Sequence, residues 1–196
     1  MDKLCCLVLF IILLWVWYLK HSVENFVLIP SKIDGEYYKV HDDFTNKQCA
    51  ADKMASVNEK IIKFLKYMIQ IGYQNDTRIK NILYRYDWQK MRENSPFNLE
   101  GSTSYMEEKG KVFAFCVRDK RSNYFDENTL IFVTLHELSH LAVNSWGHGE
   151  EYWRTFKFIL KHAVDSGIYK PIDYSKYPVD YCGLIIKDNP LFNPEI

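Results

Sequence analysis

The stretch from Asn128 to Trp153 constrains this chain more than any other part of the sequence, because it carries the pattern H-E-x-x-H. The residues of the pattern are His136-Glu137-Leu138-Ser139-His140. Residues four apart on an α-helix lie on the same face, roughly one turn along the axis. His136 and His140 can therefore offer two imidazole nitrogens to one metal ion. Glu137 lies beside them and can act on a water bound to that metal.

A third histidine, His148, stands between Gly147 and Gly149, which give the backbone freedom to turn back toward that face. We expect His148 to be the third ligand, and the other candidates for that place are Glu150, Glu151, His162 and Asp165. Imidazole nitrogens suit zinc, whereas magnesium and calcium prefer oxygen ligands. The sequence therefore predicts a Zn²⁺ site formed by His136, His140 and His148.

The residues around the pattern predict a buried helix. Asp126 offers capping chemistry for a helix that starts near Thr129, and the residues that follow are apolar nearly all around: Leu130, Ile131, Val133, Leu135, Leu138, Leu141 and Ala142. Buried histidine and glutamate side chains need polar partners. A zinc ion supplies one partner for all of them. Exposed polar residues on an amphipathic helix are the alternative, and the apolar flanks disfavour it.

Length and charge limit the class of protein. A chain of 196 residues suits one domain with an appendage, since domains usually have about 100–200 residues. The 25 Lys and Arg residues balance the 25 Asp and Glu residues, so the net charge is zero. Proteins that bind nucleic acid usually carry a basic excess or patch. We therefore expect no nucleic-acid partner.

The cysteines form neither a disulfide framework nor a cysteine-type zinc site, because Cys49, Cys116 and Cys182 lack C-x-x-C spacing and Cys5 and Cys6 lie in the apolar N-terminal stretch. Unpaired cysteine is commonly buried, so we expect buried free thiols in the domain. In an oxidising compartment one pair among the three can form a disulfide. The sequence favours no particular pair.

Residues 1–21 predict a single-pass membrane anchor. The stretch from Leu4 to Leu19 has no charge, and aromatic residues crowd its far end, as they do at a membrane interface. As a helix its 16 residues span about 24 Å, slightly less than a membrane-spanning helix of the usual length of about 20 residues. A cleaved signal peptide would need small residues before the cut, and bulky residues occupy Val16–Leu19. The balanced charges on its two sides favour neither orientation.

The remaining pattern predicts an α+β domain at 45–196 that follows a linker at 22–44, with a short strand near Glu36–Val40. Helical spacing runs from Lys47 to Ile71, and Asn75-Asp76-Thr77 can cap a second helix that ends near Tyr86. A last helix is expected from Glu150 to Ser166, where Gly167 stops it.

A hairpin is expected directly before the metal helix. Its strands are Ser104–Glu108 and Lys111–Val117, its turn is at Lys109-Gly110, and residues 87–102 form the preceding loop. The second strand is almost wholly apolar, which fits burial on both sides. We expect its edge to receive an extended peptide. Farther along, Tyr181 is expected to pack in the core, and the alternative is a hydroxyl that stabilises an oxyanion at the site.

The metal-helix residues, followed by Gly147-His148-Gly149-Glu150-Glu151-Tyr152-Trp153, resemble the SprT and WLM groups of zincin metallopeptidases. The wider run from Lys111 to Gly183 resembles a family of metallopeptidases in large DNA viruses of eukaryotes and some protists. The resemblance covers roughly Tyr105–Phe192, about half of the chain. It implies a minimal zincin-like fold, zinc bound by the three histidines, and Glu137 as general base.

The residues and the resemblance together predict a membrane-anchored zinc metallopeptidase, a hydrolase that cleaves a protein or peptide substrate at a host or virion membrane. Two alternatives remain open. One is a non-catalytic membrane protein whose metal is structural and whose domain binds partners. The other is a nucleic-acid-associated protease like the SprT and WLM groups, which act in the repair of DNA–protein crosslinks.

Overall fold

Helices and strands are mixed along the chain in the computed structural model, which describes residues 7–15, 25–97, 104–107 and 109–196. The helices are α1 (7–15), α2 (Lys47–Gln70), α3 (Thr77–Arg85), α4 (Glu127–Ala142) and α5 (Glu150–Asp165). The strands are β1 (Phe26–Pro30), β2 (Tyr37–His41), β3 (Met91–Glu93), β4 (Ser104–Glu107), β5 (Val112–Phe115), β6 (Val179–Tyr181) and β7 (Leu184–Ile186). The predicted α+β class is confirmed.

The main sheet has five strands in the order β1-β2-β3-β5-β4. The outer pairs β1/β2 and β4/β5 are antiparallel, whereas β3 lies parallel to both β2 and β5. Parallel neighbours need a long crossover connection, which α2 and α3 provide between β2 and β3. Strand β5 was expected to offer an edge, and that expectation is wrong because β3 and β4 flank it. Among the described residues, β4 forms that edge of the sheet.

Helix α4 lies at the centre of the domain, where it contacts α2, α3, α5 and β4. Helix α2 buries Met54, Val57, Ile61, Phe64 and Met68, which recur at steps of three or four residues and so share one face. Helix α3 begins as predicted at Thr77, after Asp76 accepts a hydrogen bond from the Arg78 backbone at 2.9 Å. The sheet and the other helices thus surround the helix that carries the H-E-x-x-H pattern.

A buried ion pair joins the middle of the sheet to the segment after β5. The Arg118 and Glu93 side chains are 1% and 0% exposed. Nε and Nη2 of Arg118 donate to the two carboxylate oxygens of Glu93 at 2.6 and 3.0 Å. The backbone N–H of His41 donates to Glu93 Oε2 at 2.9 Å, and Nη1 of Arg118 donates to the Thr45 carbonyl. Both Glu93 oxygens therefore have protein partners.

The C-terminal hairpin of β6 and β7 is tied to the main sheet by a disulfide. It joins Cys116, just after β5, to Cys182 in the hairpin turn, with the Cα atoms 6.2 Å apart. The expectation of buried free thiols is wrong for these two residues because the fold brings them together. It is also wrong for Cys49, which is free but exposed.

Two parts of the predicted boundaries change. Strands β1 and β2 fall inside 22–44, so the described part of that range belongs to the domain rather than to a linker. Strand β3 lies inside the predicted loop 87–102. Both segments pair with distant strands, a feature that their own sequence does not reveal.

The apolar helix α1 forms the described part of the predicted anchor, and its side chains at 7–15 are all exposed. Residues 1–6 and 16–24, which complete the predicted anchor and begin the segment after it, lie outside the described residues. No helix among the described residues is both long and apolar enough to cross a membrane.

Candidate metal centre

Helix α4 places the H-E-x-x-H residues on a rigid and buried scaffold. Its N-terminus is capped by Asp126, whose carboxylate accepts hydrogen bonds from the Asn128 and Thr129 backbone at 2.9 and 3.2 Å. The hydroxyls of Thr134 and Ser139 donate to carbonyls one turn back at 2.8 Å. These buried hydroxyls are therefore satisfied within the helix, and the polar side chains that point elsewhere are those of the predicted site.

The three predicted ligands converge on one point. Nε2 of His148 lies 3.1 Å from Nε2 of His140 and 3.1 Å from Nε2 of His136. The ligand atoms of the three histidines all lie within 4.8 Å of one another, and they form the one such group of potential metal ligands in the described part of the chain. The sequence pattern and the glycine-flanked histidine thus meet in space.

The geometry of these nitrogens fits a zinc ion. Tetrahedral zinc with Zn–N bonds of about 2.0–2.1 Å holds its ligand nitrogens about 3.3 Å apart, close to the two separations of 3.1 Å from His148. A neutral imidazole nitrogen carries either one proton or one lone pair, so Nε2 of His148 cannot form a good hydrogen bond with both neighbours. A cation among the three nitrogens serves all of them.

Burial keeps these imidazoles neutral, which is the form that binds a metal. Desolvation by burial, followed by the charges of His140 and His148, lowers the pKa of His136 to about 3. Burial, followed by the charges of His148 and Lys109, lowers the pKa of His140 to about 4. Burial also lowers the pKa of His148. All three rings can therefore present lone pairs at neutral pH.

Two cations hold the C-terminus of α4 and the loop that carries His148. Lys109 Nζ donates to the carbonyls of His140, Val143 and Ser145 at 3.1, 3.1 and 2.7 Å. Arg85 Nη1 donates to the carbonyls of Leu141 and Val143 at 2.7 and 3.1 Å. Positive charge at this end of a helix also complements the helix dipole. The loop is therefore fixed before it reaches His148.

The Lys109-Gly110 turn reaches this position because Gly110 packs directly against α3. Gly110 has φ 112°, and a Cβ atom there would lie 2.6 Å from the carbonyl oxygen of Arg85. Only glycine fits both the conformation and the space. The turn therefore brings Lys109 next to Arg85, and both side chains reach the same group of carbonyls.

Tyr152 on α5 orients the imidazoles. Its ring stacks on His140 with the centroids 4.4 Å apart, and it meets the His148 ring edge-on at 4.6 Å. Its hydroxyl donates to the carbonyl of His136 at 3.2 Å. In the sequence Tyr152 is distinguished only by its position four residues after His148. No sequence pattern identified it as a site residue.

Glu137 is a buried carboxyl group that faces the cleft without a protein partner. Glu137 is 4% exposed, and burial raises the pKa of its carboxyl group to about 8. No described residue donates a hydrogen bond to it. A carboxylate in such a place can accept a proton from a water molecule and later release it, because its pKa lies near neutral pH.

The other candidates for the third ligand are engaged elsewhere or lie outside the histidine group. Glu150 pairs with Arg154, and Glu151 accepts a hydrogen bond from Ser145 at 2.6 Å. His162 directs Nδ1 to the Phe158 carbonyl at 2.8 Å. Asp165, at the end of α5, is not a member of the histidine group. The structure thus brings His148 to the site and not its rivals.

Tyr181 packs in the core, as expected. It is 2% exposed, and its hydroxyl donates to the Cys116 carbonyl at 2.9 Å. The same hydroxyl lies 2.8 Å from the hydroxyl of Ser104 on β4. Its ring packs against Phe125 with the centroids 4.8 Å apart. Tyr181 therefore joins β4, β5 and the C-terminal hairpin beside the site.

Two connected cavities meet at the histidines. The smaller, about 230 Å³, is lined by Tyr105, Lys109 and Trp146. The larger, about 480 Å³, extends from the same histidines toward β7. Ser104, His136, Glu137 and His148 line both cavities, so the candidate metal centre lies between them. Sequence reasoning missed Lys109, Trp146 and β7 as parts of the site, because distant parts of the chain supply them.

The chain is similar to proteins of large DNA viruses. It is 35% identical over 176 residues to the "Uncharacterized protein R325" of Acanthamoeba polyphaga mimivirus, a match that covers 83% of each chain. No protein-family model matches the chain. No solved structure matches it either.

Two shorter matches are to proteins of invertebrate iridescent viruses. The chain is 38% identical over 86 residues to the "Uncharacterized protein 136R" of Invertebrate iridescent virus 6, covering 42% of this chain and 47% of that protein. It is 37% identical over 87 residues to the "Uncharacterized protein 042R" of Invertebrate iridescent virus 3, covering 44% and 53%.

Proposed function

This chain belongs to the family of the uncharacterized protein R325 of Acanthamoeba polyphaga mimivirus, and we propose that it is a zinc-dependent metallopeptidase. One observation carries the proposal: the convergence of three Nε2 atoms next to a buried carboxyl group that no described residue contacts by a hydrogen bond. A set of three neutral ligands beside an unpartnered carboxyl group is typical of catalytic zinc sites rather than structural ones.

The roles of the residues follow from their positions. His136, His140 and His148 would hold the zinc ion. When bound, zinc polarises a carbonyl group and lowers the pKa of a coordinated water to about 7. Glu137 accepts a proton from the attacking water and delivers it to the departing amine. Burial raises the pKa of Glu137 in the metal-free site, and the positive charge of a bound zinc ion would favour the ionised form that accepts the proton.

The substrate lies along β4 in this proposal. Within the described residues β4 is at the sheet edge, and its residues Ser104 and Tyr105 line the cavities at the histidines. An extended peptide can add to such an edge through backbone hydrogen bonds. This arrangement would place a peptide bond next to Glu137 without further rearrangement of the domain.

The finer features of the fold are part of the same proposal. We propose a minimal zincin-like domain held at a host or virion membrane by residues 1–21. The support is the exposed and wholly apolar surface of α1, which would be buried in a bilayer. A chain without the first 21 residues should then remain folded and no longer sediment with membranes.

The two alternatives have less support. A structural zinc site needs a fourth protein ligand, for which Cys182 or a carboxylate would be the candidates. Cys182 is bonded to Cys116, and among the described residues no carboxylate belongs to the group of the three histidines. A nucleic-acid-associated protease needs free cations near the cleft. Two lysines line the cavities: Lys109 donates to three backbone carbonyls, and Lys187 has the acidic Asp188 next to it in the lining.

The test compares the zinc-loaded wild-type chain with Glu137→Gln on an unfolded protein substrate, with peptide products identified by mass spectrometry. We expect the substitution to lower kcat by about 10²- to 10⁴-fold, the usual contribution of general acid–base catalysis, and to leave the zinc content unchanged. A chelator should abolish the wild-type activity. Equal activity of the two proteins would contradict the role of Glu137, and zinc-loaded wild type without activity would contradict the proposed function.

A further inference from the structure

The lining of the larger cavity is mostly apolar, although Ser104, Lys187 and Asp188 also belong to it. Phe132 and Val133 from α4 and Phe156 from α5 form one wall, and Leu184, Ile185 and Ile186 from β7 form the other. The volume of about 480 Å³ is ample for one large side chain. We call this cavity the hairpin cleft. It opens directly onto His136 and Glu137, which belong to its lining.

The helical wall of the hairpin cleft is rigid. Phe132 is 5% exposed and Phe156 is 1% exposed, and their ring centroids are 5.4 Å apart. The Phe156 ring also meets the His136 ring edge-on, with the centroids 5.3 Å apart. The packing of Phe156 against His136, a candidate zinc ligand, therefore also shapes the helical wall of the cleft.

The hairpin wall is held in place by covalent and hydrogen bonds. The disulfide from Cys182 to Cys116 ties the hairpin turn to the end of β5. Tyr181, the residue before Cys182, contacts both the Cys116 carbonyl and the Ser104 hydroxyl. These bonds fix β7 opposite the helices, so the cleft does not depend on a ligand for its walls.

The side chains of β7 are more exposed than is usual for large aliphatic residues. Leu184 is 52% exposed and Ile185 is 67% exposed, although both belong to the lining of the hairpin cleft. A large apolar group in the cleft would remove this surface from water, and such burial is favourable. The occupant that fits the cleft is therefore a large aliphatic or aromatic side chain.

We infer that the hairpin cleft selects substrates with a large apolar side chain next to the scissile bond, and that β7 determines this specificity. The inference rests on the proposed peptidase function. It goes beyond that function because it assigns a substrate class and a specificity element, the hairpin formed by Val179–Tyr181 and Leu184–Ile186.

The direction of β4 places the selected residue after the scissile bond. Ser104 at the start of β4 lines both cavities, whereas Tyr105 and Lys109, which follow it in the chain, line only the smaller one. A peptide that pairs with β4 in the antiparallel sense, which is slightly more stable per residue, runs from the smaller cavity past Glu137 to the cleft. Its residue on the carboxyl side of the scissile bond then enters the cleft.

The first arm of the test is a peptide library digested by the zinc-loaded wild-type chain. We expect cleavage before Leu, Ile, Phe or Met, and a replacement of that residue by Ala should lower kcat/KM by about 10- to 200-fold, the usual range for loss of apolar contact in a pocket. Leu184 lies opposite Tyr181 in the hairpin and therefore shares the face of that cleft-lining residue, so in Leu184→Asp the preference should shift toward Lys or Arg at that position. Leu28→Asp on β1 is the control, since Leu28 is 59% exposed and Leu184 is 52% exposed, and it should keep the wild-type preference.

The second arm does not depend on activity. The metal-free wild-type chain, with labelled isoleucine methyl groups, is titrated with short peptides that carry either Leu or Ala at the selected position. The methyl signals of Ile185 and Ile186 should shift with the Leu peptide much more than with the Ala peptide, and the signal of Ile79 in the core should not move.

The two proposals fail in different ways. Cleavage without an apolar preference, or a preference that Leu184→Asp does not change, would overturn the assignment of the hairpin cleft and leave the peptidase function standing. Selective shifts of the Ile185 and Ile186 signals support the assignment, and equal shifts with both peptides overturn it. A zinc-loaded wild-type chain that cleaves no peptide would overturn the peptidase function and the assignment together.

Discussion

Two of the glutamates that the structure describes, Glu93 and Glu137, are buried, and their surroundings differ completely. Glu93 is 0% exposed and is held by Arg118 and by the backbone of His41. Glu137 is 4% exposed, and no described residue donates a hydrogen bond to it. Burial of a charged residue therefore does not by itself reveal the role of that residue. A saturated carboxylate stabilises the fold, whereas an unsaturated one that faces a cleft is available for chemistry.

The same substitution at both sites tests whether the two glutamates contribute differently to stability. Glu93→Gln leaves the Arg118 charge buried without its partner, so we expect the free energy of unfolding to fall by about 3–5 kcal/mol. Glu137→Gln should not lower the stability of the metal-free chain, because the neutral amide avoids the burial of a charge. Urea unfolding of the two variants and the wild type measures both effects. Equal losses of stability would show that the two carboxyl groups have the same role.

The pH dependence of the stability of the metal-free chain is a second test of the difference between the two glutamates. The pKa of Glu137 is raised from 4.5 to about 8, so the folded state binds a proton more tightly than the unfolded state does. Its contribution to stability is therefore present below about pH 4.5 and is lost as the pH rises through about 8. The stability difference between wild type and Glu137→Gln should change with this sign. A difference that is constant with pH would contradict it.

Removal of the disulfide tests whether the hairpin wall needs its tether. Cys116 and Cys182 are separated by 66 residues, and a loop of that size predicts a stabilisation of about 4 kcal/mol from the bond. The double variant Cys116→Ala with Cys182→Ala should lose that much stability. It should also lose most of its preference for apolar residues, while zinc content stays the same. Cys49→Ala is the control, and loss of zinc in the double variant would contradict the separation of the two regions.

The gain in stability on zinc binding distinguishes the histidine site from the buried pair of Glu93 and Arg118. Zinc at about 100 times its dissociation constant should raise the free energy of unfolding by about 2.7 kcal/mol. His148→Ala should remove most of this gain, because it removes one of three ligands, whereas Glu137→Gln should keep it. Thermal unfolding with and without zinc gives the result. An undiminished gain in His148→Ala would mean that zinc binds elsewhere.

The smallest expected effect concerns Lys109, which holds the loop before His148. Lys109→Met removes three hydrogen bonds to the end of α4, and we expect zinc affinity to fall by about 10-fold, or about 1.4 kcal/mol. Lys109→Arg keeps the charge and should restore most of the affinity. Competition with a chromogenic chelator measures both variants. Unchanged affinity in Lys109→Met would show that the loop holds His148 without this cation.

The local features of the molecule were predictable from the sequence, and the long-range ones were not. The periodicity of α2 and the Asp76 and Asp126 caps predicted helices that the structure confirms. The spacing of His136 and His140 on one helix likewise needs only 3.6 residues per turn. In contrast, the three-residue strand β3 carries no periodic signal of its own, and only its two neighbours in the sheet define it.

The same distinction applies within the candidate site. His148 was predicted because glycines flank it close to the helix. Lys109 and Arg85 were not, since their role depends on a hairpin turn and on α3 meeting the end of α4. The pairing of Cys116 with Cys182 depends in the same way on the position of the C-terminal hairpin. Contacts between distant segments come from packing, which local sequence patterns do not encode.

The most direct test of the account is X-ray absorption at the zinc edge of the purified, zinc-loaded Glu137→Gln protein, with zinc content measured on the same sample. We expect one zinc ion per chain with three imidazole nitrogens at about 2.0–2.1 Å and a light atom from water in the remaining position. A spectrum with a sulfur ligand, with fewer than three imidazoles, or with substoichiometric zinc would contradict it.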